Sequence, residues 1–214
     1  MTEMFSFSVT ANTSELAEAH ALRLLRYEPR FPDDEFWWLD RDRDAAGKVF
    51  LLRKDDRAAA TLRIVPVTAC TTEIAELGLL PSELANDPGV WELGRLAGLP
   101  RQGRDLPYSL LLFGWASAWS LERLPIERVV AYCRGGKLAG FQAAGAEIVA
   151  GPRDVPGRGT DYYTIVADVA KVVENIRAYG FGDLMEAAAA GEGQFALDDI
   201  LAAAGMARPV ASRS

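Results

Sequence analysis

The chain has 214 residues, half of them hydrophobic and a quarter charged, with a net charge of −7. That is enough for one large domain with a real core, or one domain with an appendage, and the negative balance argues against a nucleic-acid surface. Two cysteines, Cys70 and Cys133, without a CxxC, and a single histidine, His20, exclude the usual zinc constellations and disulfide frameworks.

The opening residues MTEMFSFSVT lack a basic stretch followed by an apolar one. The longest apolar run, Ser109–Leu121, is too short to span a bilayer. A cytoplasmic protein with no membrane span is the expectation. A first helix begins at Thr13 or Ser14, with Asn12 or Thr13 as its N-cap, and carries Leu16, Ala19, Leu22, Arg23 and Arg26 to about Tyr27, before Pro29. His20 lies within it with no nearby nucleophile and reads as a surface or packing histidine. Residues 29–47 look irregular, with two prolines, alternating charges and the aromatics Phe36, Trp37 and Trp38. Aromatics in such a loop form either a lid over a pocket or a plug on the core.

Lys48–Arg53 and Ala58–Val67, joined by the turn Lys54-Asp-Asp-Arg57, predict an antiparallel hairpin. Thr71–Leu80 predicts a short helix, Pro81–Gly89 a connection, and Val90–Gly98 a central strand. Pro100–Pro107 is a polar loop, and Tyr108–Leu124 a largely apolar helix that must be buried on most sides. Beyond it come a strand over Glu127–Cys133, a helix over Gly136–Ala144 ending at Gly145, and strands over Glu147–Ala150 and Thr160–Val166. Asp168 caps a helix through Ala178, and residues 180–205 hold two Ala-rich helical segments divided by Gly191-Glu-Gly193. This order implies an α/β chain with a central mixed, mostly antiparallel sheet, helices on both faces and a C-terminal helical extension.

The central strand, Val90-Trp-Glu-Leu-Gly-Arg95, embeds two opposite charges among apolar side chains, which is costly unless they are paired or used. Glu92 and Arg95, three apart, point to opposite faces of a regular strand. Gly94 between them marks a place for a bulge, which brings both to one face. An anchored carboxylate beside unpaired amides can deprotonate an amine and bind a thioester carbonyl. The same two residues in an ordinary sheet are a buried ion pair.

Three segments carry a resemblance to the GNAT acyltransferase superfold, and within it to acyl-homoserine-lactone (autoinducer) synthases and N-acyl amino acid synthases. Leu62-Arg-Ile-Val-Pro66 is similar to their Arg-Leu-(apolar)-Pro strand end. Val90-Trp-Glu-Leu-Gly-Arg95 is similar to their Trp-Glu-Leu-Ser-Arg signature, with Gly94 in place of Ser. Gly136–Gly145 is similar to the helix that ends in an Ala-Gly pair before the last part of the sheet. The likeness covers roughly residues 12–170. It implies a GNAT-like domain over residues 1–179 and a helical extension and tail over 180–214.

Lactone synthases carry an Asp-x-x-Asp pair before the first hairpin strand. Here Asp44 takes the second place, while the first holds Arg41, with Asp40 and Asp42 on either side. The upstream tryptophan corresponds to Trp37 or Trp38. The phosphate-binding pattern of acetyl-CoA enzymes is poorly met by Pro100-Arg-Gln-Gly-Arg-Asp105, which tilts the donor toward acyl-carrier protein, whose phosphopantetheine has no nucleotide pyrophosphate to cradle.

The resemblance implies an N-acyltransferase that moves a fatty acyl group from a phosphopantetheine thioester, on acyl-carrier protein or as acyl-CoA, to the amine of an amino acid or derivative, with no permanently bound cofactor. Glu92 is then the base, and Arg63 and Arg95 bind the acceptor carboxylate or order Glu92. Amides around Gly94 and Leu96 hold the pantetheine and polarise the carbonyl. Asp44 with Trp37 or Trp38 forms the acceptor side. Leu111, Leu112 and Trp115 line the acyl chain or belong to the core. Arg101, Arg104, Arg134 and Lys137 offer a local basic face to the acidic carrier protein. The rival expectations are a lactone synthase that takes S-adenosylmethionine, and a non-catalytic acyl-ligand-binding module.

Overall fold

The computed structural model describes residues 3–29, 31, 40–100, 108–155, 157–190, 193–203 and 205. Eight strands form one sheet: β1 (Met4–Val9), β2 (Lys48–Lys54), β3 (Arg57–Pro66), β4 (Val90–Gly98), β5 (Arg128–Arg134), β6 (Glu147–Val155), β7 (Gly159–Asp168) and β8 (Gln194–Ala196). Their order is β6-β7-β5-β4-β3-β2-β1-β8. Every pairing described is antiparallel except β4 with β5. The helices are α1 (Thr13–Tyr27), α2 (Asp40–Ala46), α3 (Glu73–Glu76), α4 (Tyr108–Arg123), α5 (Gly135–Ala143), α6 (Val169–Ile176), α7 (Gly182–Ala190) and α8 (Leu197–Ala203). The mixed, largely antiparallel sheet with flanking helices and a C-terminal helical region is the architecture the sequence implies.

Alternation along the strands builds two unlike faces. Phe5, Phe7, Phe50, Leu52, Leu62, Ile64, Trp91 and Leu93 point to one side, where α4, α6 and α7 complete the main core. Trp115 of α4 packs its ring against Phe195 of β8 at 4.6 Å and Phe7 of β1 at 6.0 Å. Gly114 lets α4 approach α6: an added Cβ would stand 3.2 Å from Ile176 Cδ1. The other face, under α1, carries a small apolar cluster of Ala19, Val49 and Leu51. Beside it lie buried charges on α1, α2, α3, β3 and β4.

The caps follow local chemistry. Asn12 accepts a hydrogen bond from the Glu15 N–H at 3.0 Å, which satisfies one orphan donor of α1, and Glu15 accepts from the N–H of Ala11, just before the cap, at 2.8 Å. Asp168 caps α6 through the Lys171 N–H at 2.9 Å. No described helix is long and apolar enough to cross a membrane.

Four details differ from the sequence expectations. The stretch expected to be irregular up to residue 47 contains α2, since Asp40 and Asp44, four apart, share one helical face that finds buried arginine partners. The helix expected over Thr71–Leu80 is a single turn, Glu73–Glu76. Strand β1 extends the sheet beyond the hairpin, with Phe5 and Phe7 inward. Between the two Ala-rich helices a three-residue strand, β8, pairs with β1, so the C-terminal segment joins the sheet.

Candidate active site

The site begins with a register break in β4. Ala97 lies opposite Thr61 and Gly94 opposite Arg63, so β4 contains one more residue than β3 over this interval. Arg95 takes up the excess with φ 53°, a left-handed conformation uncommon for a side chain of this size. The bulge expected from Gly94 is present, and Arg95 reaches the carboxylates of Asp40 and Glu73 in the network that also contains Glu92. The parallel pairing with β5 runs from Val90↔Arg128 to Glu92↔Val130 and stops there, while β5 continues against β7 to Arg134. Beyond Glu92 the two strands part.

A chain of buried ions fills the space between this face and α1–α3. Arg23 Nη1 reaches Asp44 Oδ2 at 2.8 Å and Asp40 Oδ2 at 3.6 Å. Arg63 Nη1 binds Asp40 Oδ1 at 2.8 Å, and Arg95 Nε binds both Asp40 oxygens at 3.0 Å. Glu73 Oε1 lies 3.1 Å from Arg95 Nη1 and 2.7 Å from Arg158 Nη2. His20 Nε2 stands 2.7 Å from Asp44 Oδ2 and brings the chain toward solvent. Removing such charges from water is tolerable only because each is paired.

Glu92 is 1% exposed. Its Oε2 accepts the Ile74 N–H at 2.7 Å. Its Oε1 makes no hydrogen bond and lies 3.6 Å from Arg63 Nη2, which also makes none. Gly94 leaves room for this arrangement: a Cβ there would stand 3.0 Å from Glu92 Oε1 and 3.5 Å from Arg63 Nη2.

Electrostatics separates the carboxylates. Burial raises the Glu92 carboxyl, and Glu73 raises it further, against the pull of Arg63. Burial works equally against Glu73, but Arg95, Arg158 and Arg63 hold it down at about 2. For Asp44 burial is overcome by His20 and Arg23, and its carboxyl stays low. One carboxyl with raised proton affinity among firmly ionised neighbours is a pattern that suits a general base.

At the parted ends of β4 and β5 stand aromatic rings and arginines. Tyr27 donates its hydroxyl to the Leu96 carbonyl at 2.8 Å, and the Arg95 guanidinium lies 5.9 Å from the Tyr27 ring centre. Arg134, exposed at the end of β5, lies over the rings of Phe31 and Tyr162 at 5.7 and 5.4 Å. On the opposite face of the sheet a narrow apolar cavity is lined by Leu93, Phe113, Val129, Ala131, Phe141 and Ile165 among others.

The structure therefore brings together Glu92, Arg95, Arg63, Gly94 and Asp44. Leu96 enters through its carbonyl. Leu111, Leu112 and Trp115 lie in the main core, and Phe113 lines the cavity instead. Trp37, Trp38, Arg101 and Arg104 lie outside the described residues. Sequence reasoning missed Asp40, His20, Arg23, Glu73 and Arg158 as members of the site. Asp40 has a signal in its i, i+4 spacing from Asp44, and Arg23 in its place on the apolar face of α1 with Leu16 and Ala19. Glu73 and Arg158 are 85 positions apart and carry none. Among the described residues no group of three or more His, Cys, Asp or Glu could hold a metal ion.

The sequence matches no family model and no curated protein. Solved structures do resemble it. FeeM, an N-acyl amino acid synthase from uncultured soil microbes, matches with a TM-score of 0.65 at 14% identity, over 78% of this chain and 92% of its own. The AHL synthase LasI matches at 0.60 and 20%, over 79% and 91%. BjaI, a CoA-dependent acyl-homoserine lactone synthase, matches at 0.56 and 19%, over 82% and 88%. What is shared at these identities is architecture: the chain has a GNAT-like fold, similar to that of the AHL synthases and of the N-acyl amino acid synthase.

Proposed function

We propose that this chain is an N-acyltransferase that moves a fatty acyl group from a phosphopantetheine thioester, carried by acyl-carrier protein, to the amine of an amino acid. The observation that carries this reading is the pair Glu92 Oε1 and Arg63 Nη2, both buried, both without a hydrogen bond, 3.6 Å apart beside Gly94. An acceptor and a donor at that spacing complement the ammonium and carboxylate of an α-amino acid. The ammonium loses one proton by way of Glu92, which passes it on to solvent, and the neutral nitrogen attacks the thioester carbon. Glu92 then takes a second proton from the nitrogen of the tetrahedral intermediate, the C–S bond breaks, and Glu92 gives that proton to the leaving thiolate.

The parting of β4 from β5 beyond Glu92 supports a place for the pantetheine arm, with amides around Gly94 and Leu96 as oxyanion donors. The cavity between Leu93 and Phe141 is about 10 Å³, room for no more than a water, so what supports a path for the acyl chain there is its apolar lining, which the chain would have to part. Arg134 and Lys137, at the end of β5 and on α5, support docking of an acidic carrier. A cationic acceptor such as S-adenosylmethionine is disfavoured, since Asp40 and Asp44 are already paired with Arg23, Arg63 and Arg95.

Mass spectrometry of lipid extracts from cells overproducing the protein tests the reading. N-acyl amino acids, absent when Glu92→Gln replaces the wild type, are the expected result. Acylated lactones would transfer the assignment to a lactone synthase. No new product, together with tight binding of acyl-carrier protein or acyl chains, would leave a non-catalytic acyl-binding module.

A further inference from the structure

Helix α3 is a single turn between β3 and β4, too short to hold its own conformation. What fixes it is tertiary. Glu73 Oε1 accepts from Arg158 Nη2 at 2.7 Å and lies 3.1 Å from Arg95 Nη1, while the next residue, Ile74, gives its N–H to Glu92 Oε2 at 2.7 Å. Two consecutive residues thus touch the β4 bulge, the turn between β6 and β7, and the candidate base.

Arg158 is itself anchored. Its Nη1 donates to the Tyr132 hydroxyl, its carbonyl accepts from Arg134 Nη2 at 2.7 Å, and its guanidinium lies over the rings of Phe31 and Tyr132 at 5.5 and 5.8 Å. It is 7% exposed, and Glu73 1%. Planar, multiply bonded guanidinium groups are well suited to holding a carboxylate in one geometry.

We propose that Glu73 is a positioning residue for acyl transfer and Arg158 its anchor: together they seat α3 so that the Ile74 N–H pins one oxygen of Glu92 and leaves the other turned toward the acceptor amine, while Arg95 is kept in the bulge. The proposal deepens the reading of Glu92 as the base and rests on it. It assigns a task to a long-range contact that neither the β4 motif nor the acidic residues of α2 contain. Glu73 also acts on Glu92 through space. The charged and titratable groups around Glu92 are Glu73 on α3, Arg63 on β3 and Arg43 on α2, with Cys70 and Tyr132 also within its field. Of these, Glu73 is the negative charge that strengthens the hold of Glu92 on its proton.

The test compares wild type with Glu73→Gln by carbon-13 NMR titration of the Glu92 carboxyl and by the pH dependence of kcat/KM. The expected result is a Glu92 titration displaced to lower pH, an acid limb displaced with it, and a kcat lowered about ten- to a hundred-fold, as a misplaced base requires. Glu73→Asp, which keeps the charge, should leave the titration near that of the wild type. Removing one partner of a buried pair is costly to the fold, so Glu73→Gln combined with Arg158→Met, which removes both charges, carries the same two measurements. An unmoved Glu92 titration in either folded variant overturns the proposal. A displaced titration in a protein that acylates no amine supports the link between Glu73 and Glu92 and overturns the acyl-transfer reading instead.

Discussion

Arg95 Nε lies 3.0 Å from both carboxylate oxygens of Asp40, 55 positions earlier in the chain, and it does so from a backbone at φ 53°. The contact fastens α2 to the bulge of β4. Asp40 serves two further guanidinium groups, Arg63 at 2.8 Å and Arg23 at 3.6 Å. Asp40→Asn therefore leaves three buried arginines short of one negative charge. A loss of about 3–5 kcal/mol in urea unfolding is expected, the range for breaking a buried pair. A loss below about 1 kcal/mol would mean that solvent reaches the network.

The pH dependence of stability follows from Glu73. Its carboxyl is held from an ordinary 4.5 down to about 2 in the folded chain, since Arg95 and Arg158 outweigh burial. The folded state thus binds this proton more weakly than the unfolded state. The stabilisation is complete above about 4.5 and is lost as pH falls toward 2. Its size is on the order of 3 kcal/mol. Asp44, also held low, adds to the same trend. Glu73→Gln should flatten the acid limb of a plot of unfolding free energy against pH. An acid limb identical to that of the wild type would refute the assignment.

Much of this arrangement is legible in the sequence because it is local. Gly94 between two opposite charges announces the bulge, and the strands around it declare themselves by alternation. Asp40 is hidden by one-dimensional reading: alternating charges look like a loop until a helix places Asp40 and Asp44 on one face. Strand β1 has a period-two pattern, Phe5 and Phe7 alternating with Ser6 and Ser8, but is short enough to pass for a polar stretch. His20 shows nothing locally, since its partner Asp44 is 24 positions away. The pairing of Glu73 with Arg158 is likewise a product of the assembled sheet. No window of sequence contains it.

The cavity beside Leu93, about 10 Å³ as it stands, admits an acyl chain only where its lining gives way, so the size of that lining should set chain-length selectivity. Phe141 of α5 closes it, packed edge-on against Phe113 with ring centres 6.0 Å apart. Phe141→Ala should move the preferred acyl chain upward by about two carbons, because each buried methylene is worth about 0.8 kcal/mol. Competition between acyl-carrier proteins of different chain length measures this. An unchanged preference would place the chain elsewhere.

Gly94 tests the acceptor end. A methyl group there stands 3.0 Å from Glu92 Oε1 and 3.5 Å from Arg63 Nη2, inside the space assigned to the amino acid. The backbone at Gly94 is not in the left-handed region, so Gly94→Ala costs nothing in backbone conformation and its tight contact falls on the Glu92 side chain. The acceptor KM should rise about ten-fold with the donor KM little changed. A donor KM that rises instead would put the thioester, rather than the amine, beside Gly94.

Glu92 makes opposite demands on stability and on chemistry. Its carboxyl is raised, chiefly by burial and then by Glu73, so the folded chain binds this proton more tightly than the unfolded chain. Its stabilising contribution is complete below about 4.5 and is lost as pH rises through the raised folded value. Above the raised folded value, where Glu92 is ionised, Glu92→Gln keeps the volume, retains an oxygen for the Ile74 N–H and removes the cost of a buried charge, so the melting temperature should rise. The same substitution removes the base, and kcat should fall by roughly 10²–10⁴-fold. That deficit should shrink as pH rises, because more of the acceptor amine is then already neutral. Thermal melts and pH–rate profiles of the one variant check both halves. A lower melting temperature with an unaltered kcat would identify Glu92 as one half of a structural ion pair with Arg63.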